Sequence, residues 1–338
     1  MDKIQQLTFS RFIAAVAIIV YHFGQKTSLY QVPVLHTIFE NANVAVSFFY
    51  VLSGFVLYYS YAQKKEVFWI SFLIKRLRRI YPAYFIAILF TLLIKTFHWD
   101  DVLLSLFMVQ TWIPGKSLIL NNPGWSISNE LFFYASFPLL LPLFKTYKQI
   151  KAQGFAVFLF WLVSQLFFLN LIQSSQHYYL YLPILHINSF IVGVMAARFF
   201  QIHSRALTIY SIALKILLLA MFVVALYLFE NKNLHNGLLA PLFALLIYLI
   251  ARGRDAMTRF FSRPLFQFLG EISYSLYIFQ FPVWLLISEY RLSKYLHLPK
   301  TISEDLKFSI RFLLLVLFSI GFYYFVEKPI QRYYKNKN

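Results

Sequence analysis

The stretch RFIAAVAIIVYHF, Arg11 to Phe23, decides how this chain is read. It is an almost unbroken apolar run with a guanidinium at one end and an imidazole at residue 22. With its flanking residues it is long enough to cross hydrocarbon as a helix, which takes about 20 largely apolar residues. At 100° per residue, the eleven-residue separation of Arg11 and His22 comes to about 20° past three full turns. Both side chains therefore share one face, about 16 Å apart along the axis. An arginine inside a span is unfavourable by a few kcal/mol on insertion scales, so a polar lining or a partner is expected along that face.

The rest of the chain agrees with a bilayer as solvent. Of 338 residues, 60% are hydrophobic and 13% charged, whereas soluble domains run nearer half apolar and a quarter charged. The aromatic content of 20% suits helices whose Trp and Tyr rings settle at the two membrane interfaces. Cysteine is absent, which excludes disulfides, thiolate catalysis and Cys-ligated metals. The first apolar run is followed by YHFGQKTS, not by a small-residue cleavage site, so it is expected to be a retained first span.

Hydropathy predicts an all-α polytopic membrane protein of about ten spans, at 8–24, 43–61, 80–97, 128–144, 155–172, 182–200, 208–229, 236–251, 268–288 and 308–326. Val102 to Trp112 is too short to cross and is expected to lie in the interface or fold back. Ten spans put both termini on one side. Of the 31 Lys and Arg, 20 fall on the loops of that side, 7 on the opposite loops and 4 within or at the ends of spans. The bias predicts cytoplasmic termini. Because the net charge of +18 is dispersed among alternating loops, it reflects contact with membrane lipids and not a nucleic-acid-binding face. Residues 1–338 read as one membrane domain without a separate soluble one.

Four further stretches carry candidate chemistry. In NVAVSFFYVLSGFVL, Asn43 to Leu57, Ser47, Ser53 and Gly54 interrupt bulky residues and are read as close helix packing; Ser53 is not taken as a nucleophile. In FLIKRLRRIYPAY, Phe72 to Tyr84, four cations in five residues mark the cytoplasmic side. Arg76 and Arg79 share a face if the segment is helical, and their planar forks suit the phosphates of a cytosolic cofactor. In NNPGWSISNELFFYASFP, Asn121 to Pro138, Pro123 and Gly124 break the chain and Ser126 or Ser128 caps a helix with Glu130 in its first turn. That helix starts on the side where His22 lies. Glu130 is therefore expected to hold and polarise the imidazole as a general base, with Trp125 beside it as a platform for a sugar. In LGEISYSLYIFQFPV, Leu269 to Val283, Tyr277 and Gln280 are expected to reach an acceptor sugar, while Glu271 opens the span. Glu327, in YYFVEKPIQRYY, is read as a structural partner of a cytoplasmic arginine.

Taken together, these stretches resemble the acyltransferase 3 family of integral-membrane acyltransferases. The likeness runs through Arg11 and His22, the FFYVLSGFVL span, the Arg-x-x-Arg of Arg76 and Arg79, WSISNE, SYSLYIFQFP and the terminal EKP. It implies acetyl-CoA as acyl donor, no metal, a histidine acting on an acceptor hydroxyl and arginines engaging the donor phosphates. It also implies a surface or lipid-linked glycan as acceptor and a multi-pass place in the bacterial inner membrane. Two positions depart from the family pattern: Thr8 stands where an acidic residue often precedes the first arginine, and Gln280 where a histidine is common. The proton-transfer role is thereby expected to rest on His22. The family includes chains with an added esterase-like domain; this one ends about a dozen residues past its last predicted span and is read as the stand-alone form. The readings set against acylation are a glycan or lipid exporter with the same polar stripe, and a structural partner of a polysaccharide synthase. Acceptor identity, the hydroxyl modified, acetyl against succinyl or another acyl group, oligomeric state and direct transfer against a covalent acyl-enzyme stay open at the level of sequence.

Overall fold

A computed structural model describes residues 4–146, 149–173, 177–203, 211–229, 236–296 and 302–335. Of the cations counted above, Lys3, Lys148, Arg205, Lys232, Lys300 and Lys337 lie outside the described residues, as do positions 208–210 of the seventh expected span. The described chain is helical. In order it runs α1 (Thr8–Phe23), α2 (Pro33–Glu40), α3 (Ala45–Tyr61), α4 (Trp69–Leu92), α5 (Trp99–Leu106), α6 (Gly124–Thr146), α7 (Ile150–Gln173) and α8 (Pro183–Ile202). It continues through α9 (Ser211–Leu228), α10 (Ala240–Arg252), α11 (Ala256–Phe261), α12 (Pro264–Leu286), α13 (Glu289–Leu296) and α14 (Glu304–Phe322). A π-turn at Tyr323–Glu327 then leads into α15 (Lys328–Lys335).

Among the described residues, six helical stretches are long and apolar enough to cross a membrane: Gln5–Phe23, Ala42–Tyr61, Gly124–Lys145, Ile150–Ile172, Pro183–Ile202 and Glu304–Tyr334. Ile212–Leu228 and Ala240–Arg252 are apolar but shorter. The expected span 80–97 is the second half of α4, which is one continuous helix that also carries the cationic turn and ends at Leu92. The segment expected to fold back holds the short α5 and a 3-10 turn at Gln110–Trp112. Met108 and Leu120, on either side of that turn, have φ of 56° and 52°, a region that bulky residues seldom occupy.

Polarity is distributed as a lipid solvent requires. α7 presents Phe155, Phe158, Val163, Leu166 and Phe167 outward, while Gln110, Asn121, Ser128, Asn129, His186, Asn188 and Gln280 are buried. Interior hydrogen bonds hold many of these, such as Thr111 with Ser128 at 2.6 Å and Asn121 Nδ2 to the Ile278 carbonyl at 3.0 Å. Lys215 is fully buried on α9, where its ammonium donates to Asp255 at 2.6 Å and Thr258 at 2.9 Å, joining α9 to the start of α11.

Two helix crossings set the centre of the bundle. α3 and α8 approach so closely that a Cβ on Gly54 would fall 2.0 Å from the Phe190 carbonyl oxygen, and one on Gly193 2.0 Å from that of Val51. This is the small-residue packing expected of Gly54. At the crossing of α1 and α12, a Cβ on Gly270 would meet the Thr8 carbonyl oxygen at 2.1 Å. Backbone contacts of this kind cannot be relieved by a rotamer change. Gly54→Ala and Gly193→Ala should therefore each destabilise the protein by about 1–3 kcal/mol or more. Gly321→Ala, which meets nothing within 4 Å on α14, should be neutral or slightly stabilising. Thermal unfolding of the three variants in detergent checks this; an unshifted midpoint for Gly54→Ala refutes the close crossing.

Candidate functional site

The crossings bring α1, α3, α4, α6 and α12 around two adjoining chambers that share part of their lining. The narrower, of about 100 Å³, is bordered by Ser53 and Tyr50 of α3, Ser126, Glu130 and Tyr134 of α6, and Tyr277 of α12, among others. The wider, of about 550 Å³, is bordered by Thr8, Tyr59, Glu271, Tyr323, Glu327 and Gln331. Arg11, Val56, Arg76, Arg79, Ser273 and Tyr274 border both, and this shared lining is here called the neck.

Three guanidiniums thus converge from two helices. Arg76 and Arg79 share a face because α4 is unbroken through the cationic run, as i and i+3 must on a helix. The Arg76 fork lies over the rings of Tyr61 and Phe72 at 5.3 and 5.4 Å, and its Nε is buried without a hydrogen-bond partner. Among the described residues, none of the three arginines makes an ion pair or hydrogen bond with a side chain. Their counter-charges stand at a distance: Arg11 lies within electrostatic range of Glu130, and Glu327 within range of Arg79. Cations with open donor positions around a cavity are able to hold a multivalent anion, and paired planar forks match the geometry of phosphate oxygens.

Glu130 sits at the narrow end. One carboxylate oxygen accepts from the Ser53 hydroxyl at 3.3 Å and from the Tyr134 hydroxyl. On the wide side, Ser275 donates to Glu327, and Tyr323 donates to Glu271 at 2.5 Å. The π-turn at Tyr323–Glu327 places both Tyr323 and Glu327 on the chamber wall; such single-turn bulges occur often at functional sites.

The expected residues divide into those the structure gathers and those it keeps apart. Arg11, Arg76, Arg79, Glu130 and Tyr277 border the chambers. His22 is in the last turn of α1, against the rings of Tyr21 at 4.9 Å and Phe23 at 5.9 Å, and borders neither chamber. It is not hydrogen-bonded to Glu130, whose partners are Ser53 and Tyr134. Trp125 is not an open platform: it is buried against Tyr181 and His186, with ring centroids at 5.1 and 5.3 Å. Gln280 is fully buried, donating to the Tyr277 carbonyl at 2.8 Å, and its own carbonyl oxygen has no partner. Tyr277 shares a hydrogen bond with Ser126 at 2.8 Å.

Ser53, Tyr134, Tyr274 and Glu271 were not singled out as site residues by sequence. Glu271 and Glu327 carried the one available signal, a carboxylate within an apolar run, which is unfavourable without a polar destination.

A family model described as an acyltransferase domain matches residues 4–328. The acyltransferase MdmB of Streptomyces mycarofaciens is 35% identical over 40% of this chain and 39% of its own length. Two Staphylococcus aureus proteins, from strains COL and MSSA476, bear the provisional name of O-acetyltransferase. They are each 24% identical, over 98% and 95% of this chain and 58% and 56% of their own lengths. The chain therefore spans little more than half the length of these relatives or less. No solved structure matches it.

An anion site built from open guanidiniums is directly measurable. Inorganic pyrophosphate should raise the unfolding temperature of the detergent-solubilised protein, by linkage to the folded state, and should not do so for the Arg76→Gln/Arg79→Gln double variant. Equal stabilisation of both proteins refutes the site.

Proposed function

The chain belongs to the acyltransferase 3 family, and from that premise we propose that it transfers acetyl from acetyl-CoA to hydroxyls of a surface or lipid-linked glycan. The observation that carries the reading is the arrangement of the chambers: three guanidiniums with open donor positions at a neck between a wide space and a narrow one that ends at a carboxylate. In this reading the wide chamber takes the phosphate-bearing part of the donor, held by Arg11, Arg76 and Arg79, and the thioester reaches Glu130 in the narrow one.

The protein is a helical multi-pass membrane protein. We place it in the bacterial inner membrane with ten spans and cytoplasmic termini, on the charge bias of its loops. Arg11 then lies toward the cytosol, where the donor is made, and His22 about 16 Å farther out along the same helix. Glu130 acts as base in the chamber. His22 meets the acceptor, and Tyr277 on the narrow chamber's wall receives it there; the buried Trp125 and Gln280 support these groups from behind. General-base help of this kind is typically worth a factor of about 10² to 10⁴ in rate.

His22→Ala and Glu130→Gln should each lower acetylation by that factor while leaving membrane abundance unchanged. Surface glycans from wild-type, deletion and variant cells, compared by NMR before and after mild alkali, read this out. Exported glycan lacking an ester is the expected result. Normally esterified glycan retained inside the cell overturns the enzymatic reading in favour of export, and an intact ester in the His22→Ala strain overturns the role of the histidine.

A further inference from the structure

The narrow chamber contains several hydroxyls, and their hydrogen bonds distinguish them. Ser126 donates to the Pro123 carbonyl at 2.9 Å, Ser273 to the Gly270 carbonyl at 2.8 Å, and Tyr274 to the Ile80 carbonyl at 2.6 Å. Their protons are committed to backbone acceptors that cannot serve as bases. Ser53 is different: its hydroxyl donates to a carboxylate, Glu130, at 3.3 Å, and the side chain is half-buried on the chamber wall. Tyr134 donates to the same carboxylate oxygen and so orients the base. A nucleophile within hydrogen-bond reach of a base that a third group orients is the arrangement that activates serine.

We propose that Ser53 is the nucleophile and carries the acyl group between donor and acceptor, an inference that rests on the acyl-CoA reading above. In the first half-reaction the Ser53 oxygen attacks the thioester carbonyl carbon. The C–O bond forms as the C–S bond breaks. The hydroxyl proton passes to Glu130 and from there to the departing sulfur, which leaves as free thiol. In the second, an acceptor hydroxyl gives its proton to Glu130 and attacks the ester carbonyl; the bond to Ser53 breaks, and the Ser53 oxygen takes the proton back. No oxidant, metal or further co-reactant enters either step.

This division accounts for two features together. A chamber of about 100 Å³ is small for donor and acceptor at once, and a covalent carrier lets them occupy it in turn. His22 stands away from the chamber that holds Glu130, as a residue concerned with an acceptor arriving after the donor has left can do. The packing that fixes Ser53 is also on the page. Its neighbour Gly54 presses α3 onto α8, so a backbone contact fixes the helical turn that carries the serine.

The test is to mix the purified full chain with acetyl-CoA labelled in its acetyl group, without acceptor, then acid-quench and map peptides by mass spectrometry. The expected result is one acetyl ester on the peptide containing Ser53. Ser53→Ala should lose the label while binding acetyl-CoA within about twofold of wild type, which shows that it is folded. Ser53→Cys should take the label as a thioester, released by neutral hydroxylamine. Glu130→Gln should slow labelling by about 10²-fold or more. Wild type that binds acetyl-CoA yet stays unlabelled, or Ser53→Ala labelled like wild type, overturns Ser53 as the carrier. Wild type that binds no acetyl-CoA overturns the donor reading itself, and the carrier with it.

Discussion

The structure is organised around the cost of placing guanidinium groups inside a bundle that lipid surrounds. A cation at membrane depth needs a wet lining or an opposing charge, and here three of them share one neck. Mutual repulsion of Arg11, Arg76 and Arg79 opposes their convergence, and the site offsets it from both ends, with Glu130 on the narrow side and Glu327 on the wide side. Neither carboxylate closes an ion pair with the arginines among the described residues. A closed pair would satisfy the cations and leave nothing for a ligand. Counter-charges held off by serine and tyrosine hydroxyls leave the guanidinium donors open while lowering the energy of the empty state.

The scaffold makes that geometry rigid through backbone contact. Gly54 and Gly193 let α3 and α8 touch along their main chains, and Gly270 does the same for α12 against α1. Association of helices in lipid lacks a hydrophobic driving force and relies on such packing together with interior hydrogen bonds. Arg11 on α1, Ser53 on α3 and Tyr274 on α12 all lie on helices fixed in this way. Helices at the periphery, such as α7 with its exposed phenylalanines, carry none of the chamber-lining polar groups.

Much of this was legible in the sequence where the physics is local. Each expected span overlaps a helix among the described residues, of which six helical stretches are long and apolar enough to cross a membrane, and the Arg76–Arg79 pair follows from helical spacing alone. The close approach at Gly54 follows from a small residue among bulky ones. What periodicity does not encode is which faces meet. Ser53 and Glu130 are 77 positions apart, and only the packing of α3 and α6 around a common cavity makes them partners. For the same reason Ser53 read as packing, when its neighbour Gly54 takes that role and leaves the serine to the chamber. The expected His22–Glu130 pair came from placing both near one side of the membrane, which fixes depth and leaves the angle around the bundle undetermined. Trp125 read as a platform for a sugar because it stands at a helix start beside the expected base; Tyr181 and His186, from a distant part of the chain, cover it instead.

The separation of Glu130 from His22 bears on how a membrane enzyme can join a donor and an acceptor from opposite sides. In the proposed covalent route one base, Glu130, serves both half-reactions in turn, because the space beside it is small for donor and acceptor together. The imidazole of His22, elsewhere on the helix that carries Arg11, then concerns the acceptor before it reaches the chamber. In that route the donor half depends on the arginine-lined neck and the acceptor half on the groups around His22. The hydroxyl of Ser53 touches Glu130 in the chamber that the two halves would share. Because an ester on that oxygen is neutral and compact, holding it inside the bundle costs far less desolvation than holding the charged donor there, and the donor can leave before the acceptor enters.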